Sequence, residues 1–560
     1  MTKKSRNSDV GFIMQGSILA IASIISRIVG LIYRIPLTAT IGKAGNDYYG
    51  TAYEVYNIIL LISSYSIPLA VSKLVSARVA KGHVKDAYNV LRGALIFAVI
   101  SGTTATLLVY FLADFFTGVL LKTPLAAIAL KVLAPTLLIV AVLGVFRGFF
   151  QGLGTMIPSA ISQIAEQIVN AIVSIITAIN LVKYGRTIGA VLANEEQYAA
   201  AFGAAGGTLG TAVGALFGLL FLLFIYYVFR KVFIKKVKKD RHKKTETMKE
   251  IMPLLVMTII PVLLSTTVYN ISSIIDNGIF KNITHIQGYS TKAVSEMWGV
   301  FTGQYKVLIN VPISIASALA ASCVPTLTKA YHSQDMDLAR KQIGIATRFI
   351  MIIAIPCAVG MAVLSKPIMF ILFSDHEFMS YFMMSLGSIS IVFYSLSTLS
   401  NGMLQGIDLL RIPVRNAVMA LIAHVAVLIV LLEVFKLNIY AVVIANIFYA
   451  FCMCLLNEIA LRKNSGAKID VKYTFIIPSI SALIMGIAVA LVYFPVNIFL
   501  YPYMQPKLAS SIAALLSIII GVIVYFSTMI KFKGLDEESI LKFPKGAKIV
   551  QVAKLLHLLK

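Results

Sequence analysis

The chain has 560 residues, of which 59% are hydrophobic and only 13% charged, and its mean hydropathy is +0.87. A soluble globular domain carries about 25% charged residues, so this composition excludes a soluble protein and describes an all-α polytopic membrane protein. The net charge of +25 argues for nucleic acid only in a soluble chain. Here the basic residues flank apolar runs, where they act as orientation signals and attract anionic lipid, and nucleic acid is not an expected partner.

The chain opens on the basic stretch "MTKKSRNSDV". A full-length apolar run follows with no small-residue cleavage site, so it reads as an uncleaved first membrane helix and not as a signal peptide. A span needs about 20 apolar residues, and runs of that kind number about fourteen. They cover 11–41, 48–79, 90–112, 125–147, 157–182, 203–229, 251–280, 295–325, 345–373, 378–404, 416–434, 438–461, 474–495 and 508–530. With the N-terminus in the cytoplasm and strict alternation, Lys and Arg are roughly threefold more frequent on the inner side, as the positive-inside rule requires. The strongest basic block, "RKVFIKKVKKDRHKK", then lies inside.

That block stands near mid-chain and separates two similar halves. "RGFFQGLGTMIPSA" from Arg147 and "NGMLQGIDLLRIPVR" from Asn401 share a G-x-x-Q-G joint followed by Pro158 or Pro413. Tyr49-Gly50 with Tyr56 matches Trp298-Gly299 with Tyr305 at nearly the same offset. The expected organisation is a six-helix lobe over 1–229, a basic linker over 230–250, a second six-helix lobe over 251–472, two further helices over 473–531, and a cytoplasmic tail over 532–560. Apolar residues spaced along "KGAKIVQVAKLLHLLK" suit a helix lying on the inner leaflet. Parallel repeats of this kind build two-lobed transporters with the site between the lobes.

Charged residues inside the spans are the functional candidates, because each costs about 2.5–3.5 kcal/mol at mid-membrane and persists where it meets water or a partner. Arg27 and Arg34 in "SRIVGLIYRIPL" are seven residues apart and return to within about 20° of one helix face. Paired guanidinium forks suit the oxygens of a diphosphate. Tyr53 and Tyr56 share a stripe with Tyr49 on the next run, where rings pack against sugars, and Glu54 stands beside them. Lys73 and Lys306 are further basic candidates. Asp276, Glu54 and Glu166 are the carboxylates able to take a coupling cation, sodium or proton, and Asp276 is equally placed to pair with Lys306. His424 reads as a packed polar residue. The four cysteines, Cys323, Cys357, Cys452 and Cys454, lie in apolar segments and read as inert core. No P-loop, H-E-x-x-H or G-x-S-x-G is present, and no loop is large enough to house an active site, so the chain is not expected to be an enzyme.

The helix-1 stretch, the two G-x-x-Q-G joints, the six-plus-six-plus-two arrangement and "LSKPIMFILF" at 364–373 together resemble the multidrug/oligosaccharidyl-lipid/polysaccharide (MOP) flippase superfamily. Within it the chain is most similar to the Gram-positive branch of stage V sporulation protein B and MurJ-type lipid II flippases. The resemblance implies a V-shaped, alternating-access transporter in the bacterial cytoplasmic membrane, both termini cytoplasmic, working without a cofactor beyond a coupling ion. It implies an undecaprenyl diphosphate substrate bearing sugars, handled by Arg27 and Arg34, with Lys73 and Lys306 nearest to the family's basic residues on helices 2 and 8. It places Asp276 on helix 7, where some relatives bind sodium. The expected substrate is lipid II. The alternatives are another lipid-linked oligosaccharide, such as a capsule, teichoic or exopolysaccharide precursor, and a multidrug cation antiporter. Expected partners are membrane lipid and cell-wall synthesis proteins around a monomeric chain. Which glycan is carried, what drives it and whether sporulation is involved stay open at this level.

Overall fold

The computed structural model describes residues 3–240, 245–409 and 411–535, and every regular element among them is helical. The tail expected to form a surface helix lies, from residue 536 on, outside the described residues. Ten described helices are long and apolar enough to cross a membrane, or eleven if the pair α13 (Phe378–Gly387) and α14 (Ser390–Gly406), bent by 42°, counts as one. All fourteen expected runs fall on helical backbone, but several are divided or joined, so fourteen separate crossings are not delineated.

The first helix shows why. α1 (Lys3–Ser63) runs into a 60-residue apolar stretch, Ile21–Ala80, about three times the length that spans a bilayer. It turns at Gly42, whose backbone is extended in ψ at a positive φ of 72°. A side chain there is strained, so the glycine sets the break. The expected boundary between the first two runs, after residue 41, coincides with it. A second break at 64–66 leads into α2 (Ile67–Ala80), with Pro68 in its first turn, where a missing N–H is harmless.

The described residues form two compact units that divide between Gly303 and Gln304. The first contains α1, α2, α3 (Val84–Asp114), α4 (Ala126–Gly152), α5 (Ile157–Val191), α6 (Glu195–Lys239), α7 (Met248–Asn270), α8 (Ser272–Ile286) and α9 (Thr291–Val300). Its core joins Leu37, Ile41, Ala52 and Val55 of α1 to Leu130, Leu133 and Leu137 of α4 and Ala201, Ala204 and Ala205 of α6. α5 and α6 meet along small residues. A Cβ on Gly206 would stand 2.6 Å from the Ala178 nitrogen. With no hydrophobic gain available between helices in lipid, close backbone approach of this kind is what holds them. Arg78, at the end of α2, is buried and ion-paired with Glu246, with a further bond to the Leu74 carbonyl at 2.9 Å.

The repeat-matched glycines Gly50 and Gly299 lie on opposite sides of one interface, between α1 and α9. A Cβ on Gly50 would meet the Thr302 hydroxyl at 2.8 Å, and one on Gly299 would overlap the Lys43 carbonyl oxygen. The Thr302 contacts are side-chain atoms at 2.8–3.3 Å, whereas the Lys43 carbonyl is backbone and far closer. Gly299→Ala is therefore expected to destabilise by about 1–3 kcal/mol, as overpacking does, and Gly50→Ala by less. Melting temperatures of the purified variants in detergent check the ranking, and equal melting of both would contradict it.

The second unit holds α10 (Lys306–His332), α11 (Met336–Val363), α12 (Ser365–Phe373), α13, α14, α15 (Arg411–Glu433), α16 (Ile439–Ser465), α17 (Ile477–Leu500) and α18 (Pro506–Lys531). Polar side chains stitch it internally. Tyr525 donates to the Ile352 carbonyl at 2.9 Å, Asn416 donates to Asn457 at 3.0 Å, and Ser380 donates to Asp375 at 2.7 Å. His424 is buried, with Nδ1 at 2.8 Å from the Ala445 carbonyl. Cys357, Cys452 and Cys454 form no disulfide.

Candidate functional site

Arg34 is half-buried, and its guanidinium carbon lies 4.1 Å from the centre of the Tyr49 ring. Desolvated cation–π pairs contribute about 2 kcal/mol, so the ring helps hold the guanidinium in place. Nη1 is buried and has no hydrogen-bond partner among the described residues. An unsatisfied guanidinium N–H at the end of an oriented fork is a donor waiting for an anionic oxygen.

The tyrosines form one continuous cluster. Tyr49 and Tyr53 stack at 4.6 Å and 27°, and Tyr56 meets Tyr53 edge-on at 5.7 Å and 75°. The Tyr53 hydroxyl pairs with that of Thr211 on α6. Thr211 donates to Asn170 Oδ1 at 3.4 Å, Ser174 donates to the same oxygen at 2.9 Å, and Asn170 Nδ2 donates to the Tyr33 hydroxyl at 3.3 Å. Tyr56 is buried and Tyr53 half-buried. Three of the expected residues, Arg34, Tyr53 and Tyr56, thus come together around Tyr49.

Arg27 is exposed on α1 and makes no hydrogen bond or ion pair among the described residues. Lys73 is exposed on α2, and no hydrogen bond or ion pair joins it to the tyrosine cluster. Lys306 is half-buried at the start of α10, in the second unit.

The three carboxylate candidates have different surroundings. Glu166 is held by Arg147 at 2.6 Å, and Arg147 Nε donates to Ser162 at 3.1 Å, so the acid and the base neutralise each other. Glu54 accepts from Ser273 at 2.7 Å and from Asn277 Nδ2 at 2.6 Å, both on α8. Asp276 is buried on α8.

The sequence reading passed over the most enclosed ion pair in the first unit. Lys281 Nζ lies 2.5 Å from Asp47 Oδ1, and both side chains are 1% exposed. Lys281 also donates to Thr51 at 2.9 Å and to Thr123 at 2.6 Å, which uses all three ammonium protons. Asp47 accepts further from Thr51 at 2.9 Å and from Ser295. The pair ties α1, the turn before α4, α8 and α9 together. The only local signal was a lysine and an aspartate at the edges of apolar runs, where a loop assignment also fits.

The family described as "Polysaccharide biosynthesis protein" matches residues 13–331, more than half of the chain. The chain belongs to this family. Among curated relatives of this family member, lipid II flippase MurJ of Bacillus subtilis (strain 168) is 26% identical over 91% of the chain and 93% of that protein. Stage V sporulation protein B of the same organism is 23% identical over 60% of the chain and 62% of that protein. Among solved structures, lipid II flippase MurJ in an inward closed conformation superposes with a TM-score of 0.64 at 15% identity, over 91% of the chain and 97% of that structure. An inward-facing multidrug resistance MATE family transporter of the MOP superfamily gives 0.65 at 16% identity, over 80% and 98%. The family member is thus a multi-pass membrane protein that shares the fold of the MurJ and MATE structures and is similar along nearly its whole length to MurJ.

Proposed function

We propose that this protein moves lipid II, the undecaprenyl-diphosphate-linked peptidoglycan precursor, from the inner to the outer leaflet of the bacterial cytoplasmic membrane by alternating access. The observation that carries the reading is the Arg34 guanidinium, stacked on Tyr49 with a buried N–H left unsatisfied. Such a group suits a diphosphate and opposes a cationic drug, which argues against multidrug antiport. Arg27 lies on the same helix face and would share the anion. Tyr53 and Tyr56 continue the cluster towards the sugars, and Lys73 and Lys306 would add basic charge along the path. The match to MurJ over nearly the whole of both chains supports lipid II over a capsule, teichoic or exopolysaccharide precursor.

Under this reading the coupling ion, sodium or proton, falls to Glu54 and Asp276, because Glu166 is already neutralised by Arg147. The chain acts as a monomer with both termini cytoplasmic, beside the cell-wall synthesis machinery. The deciding experiment expresses it in a bacterium depleted of its own lipid II flippase and scores survival and outward exposure of lipid II. Rescue is the expected result. Failure by a well-expressed chain would move the substrate to another lipid-linked glycan.

A further inference from the structure

α5 lies within a helical stretch apolar enough to cross a membrane, Ile157–Val191, yet carries a polar stripe of Gln163, Glu166, Gln167 and Asn170. Glu166 and Gln167 each stand three or four residues from both Gln163 and Asn170, so the four share one face. The stripe runs beside a matching face of α1. Ser23 donates to Gln163 Oε1 at 3.4 Å, and Asn170 bonds Tyr33. Gln167 Nε2 stands 3.1 Å from where a Cβ on Gly30 would sit. On α1 the neighbouring stripe is Ser23, Arg27, Gly30 and Arg34, again at steps of three and four.

The polar residues of α5 are not equivalent. Glu166 is neutralised by Arg147, and Asn170 has its amide and carbonyl engaged by Tyr33, Ser174 and Thr211. Gln163 Nε2 and the whole carboxamide of Gln167 have no hydrogen-bond partner among the described residues, and both residues are half-exposed. Free neutral amides inside a spanning helix persist where water or a polar ligand meets them. A diphosphate can accept from their N–H groups but offers no donor to their carbonyl oxygens. Their chemistry suits hydroxyl and acetamido groups, to which a carboxamide donates and from which it accepts.

We propose that Gln163 and Gln167 bind the glycan of the lipid-linked substrate through its hydroxyl and amide groups, beside the α1 arginine stripe that takes the diphosphate. This rests on the reading of the substrate as a lipid-linked glycan. Gly30 has a defined part in it. An added Cβ would press on the Gln167 amide nitrogen at 3.1 Å and shift it slightly.

The test uses the full-length protein in nanodiscs and measures binding of lipid II and of undecaprenyl diphosphate without sugar. The parent is expected to bind lipid II more tightly than the bare lipid. A Gln163→Leu/Gln167→Leu double variant should lose about tenfold in lipid II affinity, the effect of about two neutral hydrogen bonds, and bind the bare lipid as the parent does. Gly30→Ala, which keeps both glutamines and displaces one, should fall between parent and double variant. Arg27→Gln/Arg34→Gln should weaken both lipids together. If the double variant binds lipid II as the parent does, or loses both lipids equally, the glycan assignment is overturned. If the parent binds neither lipid, the lipid-linked reading falls, and the assignment with it.

Discussion

Lys281→Ala should destabilise the protein by about 3–5 kcal/mol, the usual effect of removing one partner from a buried ion pair. The replacement strands Asp47, which is 1% exposed and would keep only hydroxyl donors from Thr51 and Ser295. It also leaves Thr123 without the ammonium donor at 2.6 Å. Asp47→Asn should be nearly as damaging, because an ammonium would then be left without its counter-charge. The double variant Asp47→Asn/Lys281→Met removes both charges and keeps the volume, and buried pairs replaced in this way are often neutral in stability. It should therefore recover most of the loss. Thermal unfolding of the purified proteins in detergent reads all three. A Lys281→Ala protein that melts with the parent would show that the pair does not hold α1, α8 and α9 together.

Arg34→Gln should reduce lipid II flipping by roughly 10- to 100-fold at unchanged membrane level, since a charge-assisted hydrogen bond contributes about 1.5–3 kcal/mol. Glutamine keeps a polar head and much of the length but loses the charge and the fork. Arg34→Lys keeps the charge and loses the planar geometry, so it should fall between the two. Tyr49→Phe preserves the ring under the guanidinium and should transport nearly as well as the parent. Tyr49→Ala removes the ring that orients Arg34 and should approach Arg34→Gln. Outward exposure of lipid II in the flippase-depleted strain, normalised to protein level, is the measurement. Parental flipping by Arg34→Gln would remove the guanidinium from the transport path.

Much of this could be read before any coordinates. Fifty-nine per cent hydrophobic residues required a membrane protein, because no soluble surface could be built from the remainder. The boundary after residue 41 was visible as a pause in hydropathy, and it falls at Gly42, the residue whose backbone turns the helix. Arg27 and Arg34 stood out because their spacing and their setting are both local properties. The match between Tyr49-Gly50 and Trp298-Gly299 was legible as a repeat, but not as a packing contact, since nothing in the string says that the two glycines face one interface.

The misses share a cause. Asp47 and Lys281 are 234 residues apart and each sits at the edge of an apolar run, where hydropathy assigns a loop. Gln163 and Gln167 are uncharged, so a search for ionisable residues in the membrane passes over them. Glu166 looked like a cation ligand until Arg147 was found against it.

What the sequence by itself determined was the solvent of each segment and the residues whose charge is out of place in lipid. These follow from the free energy of transferring a residue and its near neighbours, which is a property of the local string. Only the tertiary structure decided which charges cancel and which stay open. That depends on which atoms lie within a few ångströms of each other, and in a chain of long helices those atoms come from segments far apart in sequence.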